Sequence, residues 1–133
     1  MDDFPDMHDG FFDGRWISEN KSAYLFFRTD TGARSTLVLK DVERIDLSNF
    51  KAGNIILDVV FFDSGELTTE HIQQLYKFSD SGKAQQFLKE AQERGLRVLE
   101  VNPSYGADCT ALFRISEILP GHVLPVPTVP LRT

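Results

Sequence analysis

Near its N-terminus the chain reads Met7-His8-Asp9-Gly10-Phe11-Phe12-Asp13-Gly14, a histidine and two carboxylates set among glycines. Groups of these types can bind a metal ion, move a proton or present a charged surface. A calcium loop of the EF-hand kind needs oxygen ligands at alternating positions, a central glycine and a glutamate at position 12. Asp9 and Asp13 are spaced wrongly for that. A His-Asp metal pair of the phosphohydrolase kind needs further histidines on helices, and the chain offers only His71 and His122. Asp9 could instead orient His8 as a general base, or the segment could form a recognition surface. The plain alternative is a turn at His8-Asp9-Gly10 and a bulge or kink in a strand at Asp13-Gly14. Short motifs match by chance often enough to favour that alternative over catalysis.

Other residues invite the same weighing. Val59 to Thr68 reads like the nucleophile loop of the haloacid-dehalogenase superfamily, an apolar strand followed by Asp63, Gly65, Leu67 and Thr68. That chemistry needs a second aspartate two residues after the first, where this chain has Gly65. The lone Cys109 excludes an intrachain disulfide, and strand alternation sets it with Ala111, Phe113 and Ile115 on an apolar face, as a small hydrophobe rather than a nucleophile. Asp58 is the one charge inside an apolar strand. Burying a carboxylate is costly unless it is paired, so Asp58 must reach an edge, meet Arg28 or Arg114, or line a pocket. Tyr105, in the turn "SYG", would join His8 and Asp9 in a hydrolytic or small-molecule site if the first and sixth strands were neighbours. The C-terminal run Pro127-Thr128-Val129-Pro130-Leu131-Arg132 fits a PxxP-plus-Arg pattern. The apolar Val123, Leu124, Val126 and Val129 around it suggest a docking arm, on the parent domain or in a homodimer.

The elements that must position these residues follow from periodicity. Phe11–Ile17, Ala23–Phe27 and Ser35–Lys40 read as an antiparallel meander, with a hairpin signal at Asp30-Thr31-Gly32. Residues 41–53 are polar and mixed, anchored by Val42, Ile45 and Leu47, with an optional further strand among them. Asn54–Phe62 is the strongest strand, apolar on both faces and therefore expected to be central and covered on both sides. A first helix is capped by Thr68 or Thr69 and buries Ile72, Leu75 and Tyr76. A second, Ser81–Arg94, buries Ala84, Phe87, Leu88 and Ala91, with Gly95 just past its end. Leu96–Val101 is a strand, Asn102–Gly106 a turn and Asp108–Ile118 a last strand.

The chain's 133 residues suit one domain. Its 14 Lys+Arg against 20 Asp+Glu give a net charge of −6, and no basic stripe segregates the cations. Phosphate backbones and anionic membranes are therefore poor partners, whereas a basic protein is a fitting one. No secretory pattern or membrane-length apolar run occurs, so the expected setting is cytoplasmic.

His8-Asp9-Gly10 with Gly14, Gly53-Asn54-Ile55-Ile56, and Asn102-Pro103-Ser104-Tyr105-Gly106-Ala107 together resemble a group of small uncharacterised bacterial proteins over residues 7–118. The resemblance implies a compact, sheet-rich α+β fold in a bacterial cytosol, and it transfers no catalytic residue. Similarity to immunity proteins of bacterial toxin systems implies a protein-binding role.

The expectation is thus one α+β domain over residues 1–119 and a proline-rich arm over 120–133. The sheet is mostly antiparallel, curved or barrel-like, with about six strands, and two helices precede its last two strands. Function is expected to be non-catalytic binding of a basic protein, without cofactor or metal. Candidate binding residues are His8, Asp9, Asp13, Asp58 and Tyr105.

Overall fold

The computed structural model describes residues 4–77 and 80–125. It is an α+β fold built on eight strands: β1 Phe11–Ile17, β2 Ala23–Arg28, β3 Arg34–Lys40, β4 Arg44–Ser48, β5 Asn54–Phe62, β6 Arg97–Tyr105, β7 Asp108–Phe113 and β8 Ile115–Pro120. Helices α1, Thr69–Tyr76, and α2, Ser81–Glu93, stand between β5 and β6. Every strand pairing is antiparallel, and the order across the single sheet is β4-β7-β6-β5-β1-β2-β3-β8.

This order forces the sheet to fold over on itself. Strand β7 is second in the order and β8 last, yet Arg114 alone links them. Six steps of about 4.8 Å in a flat sheet would part them by roughly 29 Å, whereas one spacer residue reaches only about 7 Å. The half β1-β2-β3-β8 therefore packs on the half β4-β7-β6-β5. Phe12, Leu25, Phe27, Leu37 and Leu39 meet Ile56, Leu99, Val101, Cys109, Ala111 and Phe113 in a fully buried core. The ladder itself stays open, with β4 and β8 as its edges.

The helices cover the outer face of the second half. Leu67, Leu75, Ala91 and Leu96 pack there against Val98 and Leu112, one residue out of phase with the inward Leu99 and Phe113. Thr68 caps α1 by accepting from the N–H of His71, and its own N–H donates to His71 Nδ1 at 3.0 Å. Asp80 caps α2, accepting from Gly82 N–H. Gly95, at φ +70°, ends it as a C′ glycine.

Several sequence expectations are corrected. Among the described residues there are eight strands rather than about six, and the helices precede the last three. Arg44–Ser48 is a full strand, because Ile45 and Leu47 turn inward against the core. Strand β6 runs through the expected turn to Tyr105, and the last expected strand breaks at Arg114, where the chain passes from one half to the other. Cys109, Ala111 and Phe113 are buried as expected, but Ile115 lies beyond the break and is exposed. Strand β5 is central but not covered throughout: the helices reach it only near Phe62, leaving Leu57 and Asp58 exposed. Among the described residues no helix is long and apolar enough to cross a membrane.

Candidate functional site

The "MHDG" segment is a turn. Gly10 N–H donates to the Met7 carbonyl at 2.8 Å, and Asp9 takes the third turn position at φ +61°, as a type II turn requires. Gly10 is needed for packing, since a Cβ there would stand 2.6 Å from the Arg28 carbonyl. The turn continues the ladder beside β5: Asp9 N–H donates to Ile56 O at 3.0 Å, and Ile56 N–H to Gly10 O at 2.9 Å.

Two register irregularities in β5 and β6 then aim the histidine. Pro103 has no N–H, and its pairing with Ile56 is flanked by shifts that leave Leu57 without a partner on β6. His8 takes the Leu57 carbonyl, with Nδ1 at 2.9 Å. A carbonyl only accepts, so Nδ1 carries the hydrogen and Nε2 faces outward, 3.7 Å from Asp9 Oδ2. The bond to Leu57 and then the charge of Asp9 hold the His8 pKa above its ordinary value, outweighing the opposing effect of desolvation, with lesser help from Asp6 and Asp30.

His8 borders a depression of about 520 Å³. Phe4, Leu57, Val59 and Phe61 form its apolar lining, and Asp6 and Asp58 its charged part. Phe4 is fixed edge-on to Phe27 and Phe61, with 5.5 Å between ring centroids in each case. Asp58 accepts from Asn102 Nδ2 at 2.7 Å. It meets neither expected arginine, because Arg28 is bidentate to Asp13 at 2.6 and 3.0 Å and Arg114 pairs with Asp41.

The remaining candidates lie apart. Asp13 is the bulged residue of β1 and belongs to a structural cluster with Arg28 and His122. Tyr105 pairs in register with Ile55 and does not line the depression, and β5 stands between β1 and β6, so the condition for a His8-Asp9-Tyr105 site is not met. Burial, aided by nearby Asp108, pushes the Cys109 thiol up to about 12, which keeps it protonated and unreactive at neutral pH. Among the described residues no group of three or more His, Cys, Asp or Glu is placed to hold a metal ion.

One organising residue escaped the sequence reading. Asn54 is 2% exposed and satisfies all its polar atoms. Its Oδ1 accepts from Lys51 N–H and Ala107 N–H at 2.8 and 2.9 Å, and its Nδ2 donates to Lys51 O and Phe12 O at 2.7 and 3.2 Å. It ties β1, β5 and the β6–β7 turn at the one place where the two halves share a ladder. The available signal was a polar residue opening the most apolar strand, which must find partners if buried.

No protein-family model matches the chain, no curated protein is similar to it, and no solved structure matches it.

Proposed function

We propose that the protein is a non-catalytic protein-binding domain, of immunity or accessory type, whose partner is basic. The observation that carries this reading is the depression beside His8. An apolar floor beside carboxylates suits a lysine or arginine, whose aliphatic stem lies on Phe4, Leu57 and Phe61 while its charge meets Asp6 and Asp58. Asp9 and Asp30 extend the negative field around it, and the net charge of −6 favours fast encounter with a cationic surface.

The test is calorimetric titration of the full chain with an Arg/Lys-rich dodecapeptide and a panel of small basic proteins. Binding is expected, weakening as salt rises, and falling by about tenfold, or about 1.4 kcal/mol, in Asp6→Asn/Asp58→Asn. Binding that this pair leaves unchanged would place the surface elsewhere, and no binding by any cationic probe would sink the reading.

A further inference from the structure

A second cavity, of about 610 Å³, lies away from His8. Its walls are Arg15 and Ile17 of β1, Ile45 to Ser48 of β4, and Lys77 just past α1. Both strands bring an open edge to it. Among the described residues β4 ends the sheet and pairs only with β7. Strand β1 meets β5 only at Phe11 and Phe12, so from Gly14 to Ile17 its far edge has no ladder partner among the described residues. Such rows of free N–H and C=O groups are templates for an added strand. An adjoining hollow, lined by Asp13, Gly14, Arg15, Leu47 and the half-exposed Phe50, prolongs the slot along β1.

The charge here runs against that of the molecule. Asp46, the carboxylate on this wall, is paired with Arg44 at 3.4 Å, and Asp13 is paired with Arg28. Arg15 and Lys77 have no ion-pair partner among the described residues. Asp108 shares a further adjoining hollow with Lys77. The cations Arg15, Arg44 and Lys77 thus stand against the carboxylates Asp46 and Asp108. A cationic slot bounded by strand edges, on a chain of net charge −6, selects an extended, anionic occupant.

We propose that this slot binds an extended acidic segment of a partner protein, added as a strand along the free edge of β4 with its carboxylates toward Arg15 and Lys77. Ile17 and Phe50 give apolar contact to the alternate side chains. This surface is separate from the depression beside His8 and independent of the reading given for it.

The probe is an acetylated, amidated octapeptide of alternating valine and glutamate, titrated into the full chain at low salt. It is expected to bind and to slow amide hydrogen exchange within β4. The double variant Arg15→Gln/Lys77→Asn, whose asparagine tolerates the left-handed backbone at position 77 (φ +56°), is expected to bind about tenfold more weakly. A peptide N-methylated at alternate residues, which keeps its side chains but loses donors, is expected not to bind. Equal binding of the N-methylated peptide, or of one with lysine in place of glutamate, would overturn the proposal. So would failure of the glutamate peptide to bind, or binding that appears only when the chain is truncated after Pro125, which would assign the slot to residues 126–133.

Discussion

A single carboxamide does at the β1–β5 seam what a longer ladder would otherwise do. Asn54 offers two acceptor and two donor contacts and all four are made with backbone groups. Gly106 sits against it at φ +89°, where an added Cβ would overlap Asn54 Oδ1. Replacing Asn54 by Leu leaves the buried Phe12 carbonyl and Ala107 N–H, and the part-buried groups of Lys51, without their partner and is expected to cost about 3 kcal/mol. Gly106→Ala is expected to cost about 2 kcal/mol, from strained φ and from crowding. Because the crowding partner is the asparagine itself, Asn54→Ala combined with Gly106→Ala should cost less than the two changes added. Urea unfolding of the four chains checks this. Strict additivity would mean that the glycine is needed for its φ alone.

At the scale of elements, regular periodicity was legible and irregularity was not. Alternation located β1, β2 and β3, the helical stripe through Ala84 and Ala91 located α2, and a capping threonine located the start of α1. Strand β4 alternates too, Ile45 and Leu47 inward against Arg44 and Asp46, but five residues inside a polar segment are too short a run to fix it as a strand. Strand β6 was cut short because Asn102-Pro103-Ser104 is turn-like in composition, and only pairing with an irregular β5 lets it stay extended. That irregularity also built the candidate site. The Leu57 carbonyl is free for His8 only because the register shifts beside Pro103, and a contact 49 residues apart depends on a register that no local pattern encodes. The consequence can be read by titration. Both the Leu57 bond and the Asp9 charge favour the imidazolium, so the His8 midpoint in the folded chain should lie above 6.5. Asp9→Asn should lower it without removing the larger effect of Leu57. A folded-state value raised in this way means that His8 contributes stability below the unfolded value of 6.5, and loses it as pH rises through the folded midpoint. NMR titration of the three histidines measures this directly, and a His8 midpoint at or below 6.5 would show that the Leu57 contact is not made in solution.

At the scale of the whole molecule, the chain beyond β8 determines which outer faces remain free. The described part of the proline-rich segment begins by folding back on the sheet. Gly121, at φ +75°, turns it back, and Gly121 N–H donates to Arg34 O at 2.9 Å. Thr36 is wholly buried, donating its hydroxyl to Gly121 O at 2.7 Å and accepting Val123 N–H at 2.8 Å. His122 crosses to β2, where Nε2–H donates to Phe27 O at 3.1 Å beside the bulge at Asp13. The chain therefore touches the parent domain at residues 121–123 through polar contacts, with Val123 and Leu124 exposed, while Val126, Val129 and the PxxP pattern at Pro127–Arg132 lie outside the described residues. The strap thus crosses the outer face of β2 and β3 at Phe26 and Thr36. A double-mutant cycle tests whether this strap contributes to the fold. In the full chain, Thr36→Val removes two hydrogen bonds and orphans Val123 N–H, and should cost about 1–2 kcal/mol. In a chain ending at Pro120 those partners are gone, and valine, a better strand former, should cost within about 0.5 kcal/mol of nothing. The difference between the two is the free energy coupling Thr36 to residues 121–125. It should appear as a shift in urea midpoint at constant m. Equal effects in both chains would mean that the strap lies on the sheet without stabilising it.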